Sequence, residues 1–162
     1  QTIYFFLIQD VVNDRMLNLS SKGYRQLVIY DECWSFLTTP TAAAMIDSQY
    51  RTARKYGNTI IAISQSISDF LSSTCSSGIV ENTTVKFIMQ LGGNASRLSE
   101  LAFNTTEISA VQNLDRQEKV FNEIFVNIDT THSCVWKFAP TKDELSQFSR
   151  DFQSIQTTED IK

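Results

Sequence analysis

The sequence predicts an α/β fold: a parallel sheet with flanking helices, followed by a C-terminal antiparallel hairpin. Three observations carry this expectation. The runs Leu27-Val28-Ile29-Tyr30 and Thr59-Ile60-Ile61-Ala62-Ile63 are apolar on both faces and separated by a helical pattern, as in buried parallel strands joined by a crossover. After a further helical stretch, Val85-Lys86-Phe87-Ile88-Met89 continues the alternation as a third strand. Beyond it, residues 120–128 and 134–138 alternate around Asp129-Thr130-Thr131-His132, which reads as a hairpin.

The elements follow in order. Residues 2–18 place Ile3, Tyr4, Leu7, Ile8, Val11, Val12 and Met16 at helical spacing, predicting an amphipathic helix with that stripe turned inward. Ser20-Ser21-Lys22-Gly23 ends it. The first strand stops abruptly at Asp31-Glu32. Thr39 then caps a helix with Pro40 at its first position; it runs through Ala42-Ala43-Ala44-Met45 to about Tyr56, where Gly57 supplies a left-handed stop. The second strand ends at Ser64-Gln65. A helical stretch over 66–72 and a Ser/Thr/Gly loop over 72–78 lead to the third strand, which ends at Gln90. Asn104-x-x-Glu107 and Thr141-x-x-Glu144 are capping boxes that should open two late helices. There are no repeats and no low-complexity segments, so residues 1–162 read as a single domain.

Composition bounds the function. At 162 residues, 42% hydrophobic and 20% charged, the chain can bury one real core and is not a disordered segment. Two prolines and five glycines suit long regular elements. Because it starts at Gln1, the chain is expected to be a piece of something longer. The apolar run Ile3–Ile8 is far shorter than the roughly 20 residues of a membrane helix, so no transmembrane segment is expected. A net charge of −4 counts against an extensive nucleic-acid surface and leaves direct DNA binding open. Cys33, Cys75 and Cys134 lack metal-ligand spacing and read as unpaired thiols of a reducing compartment. His132 is the only histidine; it sits in the hairpin turn facing solvent, so no Ser/His/Asp or Cys/His arrangement can be assembled elsewhere. Trp34 and Trp136 are expected to pack at the edge of the core.

The chemistry gathers at strand ends. In an open parallel sheet, ligands bind beyond the carboxyl ends of the strands. Crossover connections should bring Asp31-Glu32, Ser64-Gln65 and Gln90 to one edge. Four apolar residues followed by Asp-Glu form a Walker B pattern: Asp31 would hold a magnesium ion beside nucleotide phosphates, and Glu32 would orient or deprotonate the attacking water. The same residues also suit a plain acidic turn. Gln65 can donate to phosphate and accept from water at once, or simply cap the following helix. Gln90 is a weaker candidate for nucleotide contact. Arg51 and Arg54, three apart near a helix carboxyl end, are favourable there electrostatically, and could equally serve as an arginine finger on a neighbouring protomer.

Together, Leu27-Val-Ile-Tyr-Asp-Glu-Cys-Trp-Ser-Phe-Leu37, Tyr50-Arg-Thr-Ala-Arg-Lys-Tyr-Gly57 and Ile60-Ile-Ala-Ile-Ser-Gln-Ser-Ile-Ser-Asp-Phe70 resemble the conjugative transfer ATPases of type IV secretion systems, particularly the TraC type. The resemblance extends through Val85–Gln90 to the hairpin. It implies a partial RecA-like P-loop ATPase fold, magnesium-ATP hydrolysis in the parent protein, and a cytoplasmic motor peripheral to the inner membrane. It also implies a homo-oligomer, a hexamer in the parent, working with other secretion-system components. Asp31 and Glu32 become the Walker B pair, Gln65 a sensor-type glutamine, and Arg51 or Arg54 a trans-acting group.

One departure matters. No G-x-x-x-x-G-K-[ST] occurs in this sequence, so the triphosphate lacks its cradle of backbone amides and its lysine. This piece alone is expected to hold no nucleotide and to be inactive. Two rival readings remain: a DNA-translocating or helicase-like motor with the same core, and a non-catalytic assembly module of the secretion machinery.

Overall fold

The structure, a computed structural model, describes residues 2–72, 76–129 and 132–148. Helix α1 (Thr2–Ser20) forms where its periodicity predicts, but turns a different face inward. Gln9 and Met16 are buried, while Leu7, Ile8 and Val11 are more than half exposed. Polar chemistry sets this orientation. The Tyr30 hydroxyl lies 2.9 Å from the side-chain oxygen of Gln9 and within hydrogen-bonding reach of that of Gln49. Gln49 Nε2 donates to Gln9 Oε1 at 2.7 Å and to Asn13 Oδ1 at 2.7 Å. Buried amides and a buried hydroxyl need partners, and α1 supplies them. Burial pushes the Tyr30 hydroxyl pKa up, against the lowering effect of these hydrogen bonds.

Strands β1 (Leu27–Tyr30) and β2 (Thr59–Ala62) pair in parallel, with Leu27 opposite Thr59 and Tyr30 opposite Ala62. Their connection holds a short helix α2 (Trp34–Leu37), absent from the sequence reading, then α3 (Pro40–Ala53) with Pro40 in its first turn. Thr39 caps α3 through its extended backbone, without a side-chain hydrogen bond. The last turn tightens to a 3-10 segment, Arg54–Tyr56, and Gly57 takes φ 67°, a left-handed stop that suits glycine. Tyr30, Cys33, Leu37, Ala43, Ile46, Tyr50 and Ile79 form the first core cluster, on which Phe5, Val28 and Ile60 also pack. The opposite face of the strand pair leaves Leu27, Ile29 and Ile61 exposed.

Helix α4 (Ile67–Leu71) is capped by Ser66, whose side chain accepts from the Ser68 amide. Next comes α5 (Ser76–Glu81), a helix that starts inside the stretch read as a loop. The third strand departs from expectation. Strand β3 (Val85–Ile88) does not extend the parallel pair; it lies antiparallel to β5 (Phe121–Ile128) in a four-stranded sheet. That sheet also holds β4 (Arg116–Gln117) and β6 (His132–Phe138), with β6 paired to β5 in the predicted hairpin. The two faces of β3 differ: Val85 and Phe87 are exposed while Lys86 and Ile88 turn inward, so the strand is not covered on both sides as a buried parallel strand would be. Ile88 and Phe125 face a second cluster with Ile67, Ala95, Leu98, Phe103, Val111 and Leu114. On the other face Phe87, Trp136 and Phe138 are exposed, and the Phe87 and Trp136 rings meet edge-on at 6.3 Å. Trp136 therefore stands outside the core.

A 3-10 segment, Gly92–Leu101, leads to α6 (Thr105–Gln112), and α7 (Lys142–Phe148) follows the hairpin. Both capping boxes form. The Glu107 amide donates to Asn104 Oδ1 and the Asn104 amide to Glu107 Oε2, each at 3.0 Å. The Thr141 amide donates to Glu144 Oε2 at 2.8 Å, which holds the Glu144 carboxyl below its ordinary range. Among the described residues no helix is long and apolar enough to cross a membrane.

Candidate functional site

The parallel ladder runs past the formal ends of β1 and β2. The Ile63 amide donates to the Tyr30 carbonyl at 2.9 Å, and the Cys33 amide to the Ile63 carbonyl at 2.8 Å. These two bonds hold Asp31-Glu32 and Ser64-Gln65 side by side on one edge, as the sequence predicts.

The corner is built by backbone turning sharply. Glu32 has φ 51°, in the left-handed region, and the Asp31 carboxylate accepts its amide at 3.0 Å. Ser35 completes the turn, donating both its amide (3.1 Å) and its hydroxyl (2.9 Å) to the Glu32 carbonyl. Both Glu32 carboxylate oxygens are engaged. Gln65 Nε2 donates to Oε1 at 2.7 Å, and Trp34 Nε1 donates to Oε2 at 2.6 Å. Asp31 and Glu32 are exposed at this edge. Behind them, Ser64 Oγ donates to the Asp69 carboxylate, tying the end of β2 to α4.

The structure thus brings Asp31, Glu32 and Gln65 together and adds Trp34, which composition had assigned to the core edge. A signal for it was in the sequence: an indole N–H only donates, and an acceptor-only carboxylate stands two residues away. Gln90 is exposed and follows β3 in the antiparallel sheet, so it does not share the edge of Asp31-Glu32 and Ser64-Gln65 that the sequence predicts. Its neighbours Ile88 and Leu91 pack on the cluster that contains Ile67.

The arginines lie elsewhere. Helix α3 returns the chain to the start of β2, and the Tyr56 carbonyl accepts from Ser20 Oγ at 2.7 Å while Asn58 Oδ1 accepts from the Gln26 amide at 3.0 Å. Arg51 and Arg54 therefore sit toward the amino ends of the strands, opposite Asp31-Glu32 of the same chain. Arg51 Nε pairs with Asp47 at 2.8 Å, one helical turn earlier. Arg54 is exposed.

Cys33, just behind Glu32, is fully buried, and burial pushes its thiol up to about 12; Cys134 is exposed on β6, and Cys75 lies outside the described residues. Thiolate is the reactive form, so Cys33 should resist alkylation at pH 8. Iodoacetamide labelling is expected to lose one equivalent in Cys134→Ser and none in Cys33→Ser; loss of a fast-reacting equivalent in Cys33→Ser would contradict this burial. His132 opens β6, exposed, with Nδ1 3.4 Å from Asp129. Among the described residues, no cluster of three or more His, Cys, Asp or Glu side chains could hold a metal ion.

A parallel strand pair with helices on its core side, and acidic and amide side chains gathered at its carboxyl ends, is an α/β arrangement with a candidate ligand-binding edge. Residues 2–160 match the TraG P-loop domain, and the chain belongs to that family. It is 35% identical over 86 residues to the type IV secretion system protein CagE of Helicobacter pylori, covering 52% of this chain and 9% of that protein. The fold is similar to that of VirB4 of Thermoanaerobacter pseudethanolicus, with a TM-score of 0.59 at 23% identity over 75% of this chain and 32% of the other. The chain thus spans less than a third of the length of each. The resemblance of residues 27–70 to the type IV secretion ATPase family is borne out.

Proposed function

We propose that this chain is the Walker B part of the P-loop domain of a type IV secretion ATPase, and that Asp31, Glu32 and Gln65 are its nucleotide-facing residues. One observation carries the reading: the amide of Gln65 meets the carboxylate of Glu32 at 2.7 Å across the carboxyl ends of two parallel strands, beside Asp31. That edge is where such sheets bind ligands.

The donor set suits magnesium. Asp31 is an exposed carboxylate fixed at a strand end, with one oxygen taken by a backbone amide and the other pointing to no described partner. When bound, the ion would neutralise charge on the phosphates of ATP. Glu32 would accept a proton from, or orient, the attacking water. Gln65 would fix the Glu32 carboxylate in the resting state and turn its amide toward the terminal phosphate when the site fills. Gln90 would contact nucleotide from the neighbouring sheet. The phosphate cradle must come from residues outside this sequence, so the piece alone should not turn over ATP. Arg51 and Arg54 are turned away from this edge, so in an oligomer, hexameric by the family resemblance, they would act on a neighbouring protomer's nucleotide. Arg54 is the better placed, since Asp47 already engages Arg51. The protein would work at the cytoplasmic face of the inner membrane with other secretion components.

The test is Glu32→Gln in the longer protein that contains this chain. ATP turnover is expected to fall about 100-fold or more, the usual scale for losing a general base. Unchanged turnover would overturn the assignment. The missing G-x-x-x-x-G-K-[ST] favours one other reading, a non-catalytic assembly module. Sequencing the reading frame on either side of Gln1–Lys162 separates the two, because a module would lack that motif throughout.

A further inference from the structure

We propose that Trp34 is a positioning residue for Glu32: its indole N–H holds one carboxylate oxygen while the Gln65 amide holds the other. This rests on the reading of Glu32 as the residue that handles the attacking water.

The geometry is unusual in three linked ways. Glu32 stands in left-handed backbone at φ 51°, a conformation costly enough for a non-glycine residue that surrounding bonds must maintain it. The 2.6 Å contact from Trp34 Nε1 is a short, charge-assisted hydrogen bond. Trp34 also opens α2, whose residue Ser35 grips the Glu32 carbonyl through both amide and hydroxyl. The indole and the strained backbone therefore belong to one turn, and the carboxylate is fixed at both ends, through its main chain and its oxygens. The 45% exposure of Trp34 leaves part of the ring packed, and the N–H contact to Glu32 accounts for where its polar edge points.

The two donors differ in kind. Gln65 reaches across from β2 and can swing away on its flexible side chain; Trp34 is local and rigid, with two side-chain torsions. Trp34 is thus the fixed reference for the carboxylate, and Gln65 the exchangeable contact. Without the indole, Glu32 gains rotamers at the moment the water must be held, and misplacement on the 1 Å scale is enough to slow a reaction severely.

The experiment uses the full-length protein. Trp34→Phe keeps the ring and removes the donor; kcat for ATP hydrolysis is expected to fall about 10-fold, with KM within about 2-fold. Unchanged kcat in Trp34→Phe, where Glu32→Gln is inactive, overturns the proposal and leaves the Glu32 assignment standing. Unchanged turnover in Glu32→Gln overturns the assignment itself. A second readout does not depend on activity or on the folding of Trp34→Phe. In protein labelled with 5-fluorotryptophan, the Trp34 resonance should shift in Glu32→Ala and stay in place in Cys134→Ser. A Trp34 resonance unmoved by Glu32→Ala overturns the contact on which the proposal stands.

Discussion

Ile46→Ala is expected to destabilise the domain by about 2–5 kcal/mol, the range for deleting a fully enclosed aliphatic side chain. Ile46 has no exposed surface and sits on α3 between β1 and α5 in the first core cluster. Close-packed neighbours from three elements, Tyr30, Cys33 and Ile79 among them, leave little freedom to collapse into the space. Ile8→Ala is the matched control: the same α-helical setting, 60% exposed, and an expected change within about 0.5 kcal/mol. Urea denaturation read by circular dichroism compares them, and equal midpoints for the two variants would show that the first cluster is not the stabilising core.

Gly78→Ala should destabilise for the opposite reason, and by less than Ile46→Ala, because the atoms in its way are side-chain ends that can move aside. A Cβ there would fall inside the contact distance of the Asp47 carboxylate and the Arg51 guanidinium, where α5 crosses α3. Over-filling a rigid packed contact costs about 1–3 kcal/mol, and the freedom of the Arg51 and Asp47 side chains puts this one at the low end of that range. Asp47→Ala should remove part of the obstruction, so Gly78→Ala is expected to cost less in that background than alone. Additive losses in denaturation midpoint would mean that the glycine is not held small by this pair.

Much of this was legible in the residues. Leu27–Tyr30 and Thr59–Ile63 announce themselves as strands by their apolar runs, and they pair in parallel with one face on the core, while the capping boxes at Asn104 and Thr141 name their own partners. The approach of Gln65 to Glu32 followed from two parallel strands ending level. Other features depended on competition that no local pattern reports. Strand β3 follows the parallel pair in sequence order, and nothing within Val-Lys-Phe-Ile reports that its partner is β5, more than 30 residues later. Helices α2 and α5 are too short for periodicity to register. Trp34 looked like core because tryptophan usually is, and its hydrogen bond outweighed that average. The arginines were placed between two strands in sequence, whereas an antiparallel return helix delivers them to the far edge.

Helix α1 carries the widest consequence. Turning Leu7, Ile8 and Val11 inward would gain roughly 1.5–3 kcal/mol for each fully buried side chain. It would also strand the Tyr30 hydroxyl and the Gln49 amide at about 1–3 kcal/mol per group. The hydrogen-bonded setting is the one adopted, and what distinguishes it is direction. Apolar contact tolerates a slide or a roll; hydrogen bonds through Gln9 and Asn13 accept one azimuth and one height along the helix axis. Residue 30 is the last before Asp31, so the helix sets the reference plane from which the acidic corner is measured. The placement of α1 and that of the strand end are thus tied together through one phenol ring.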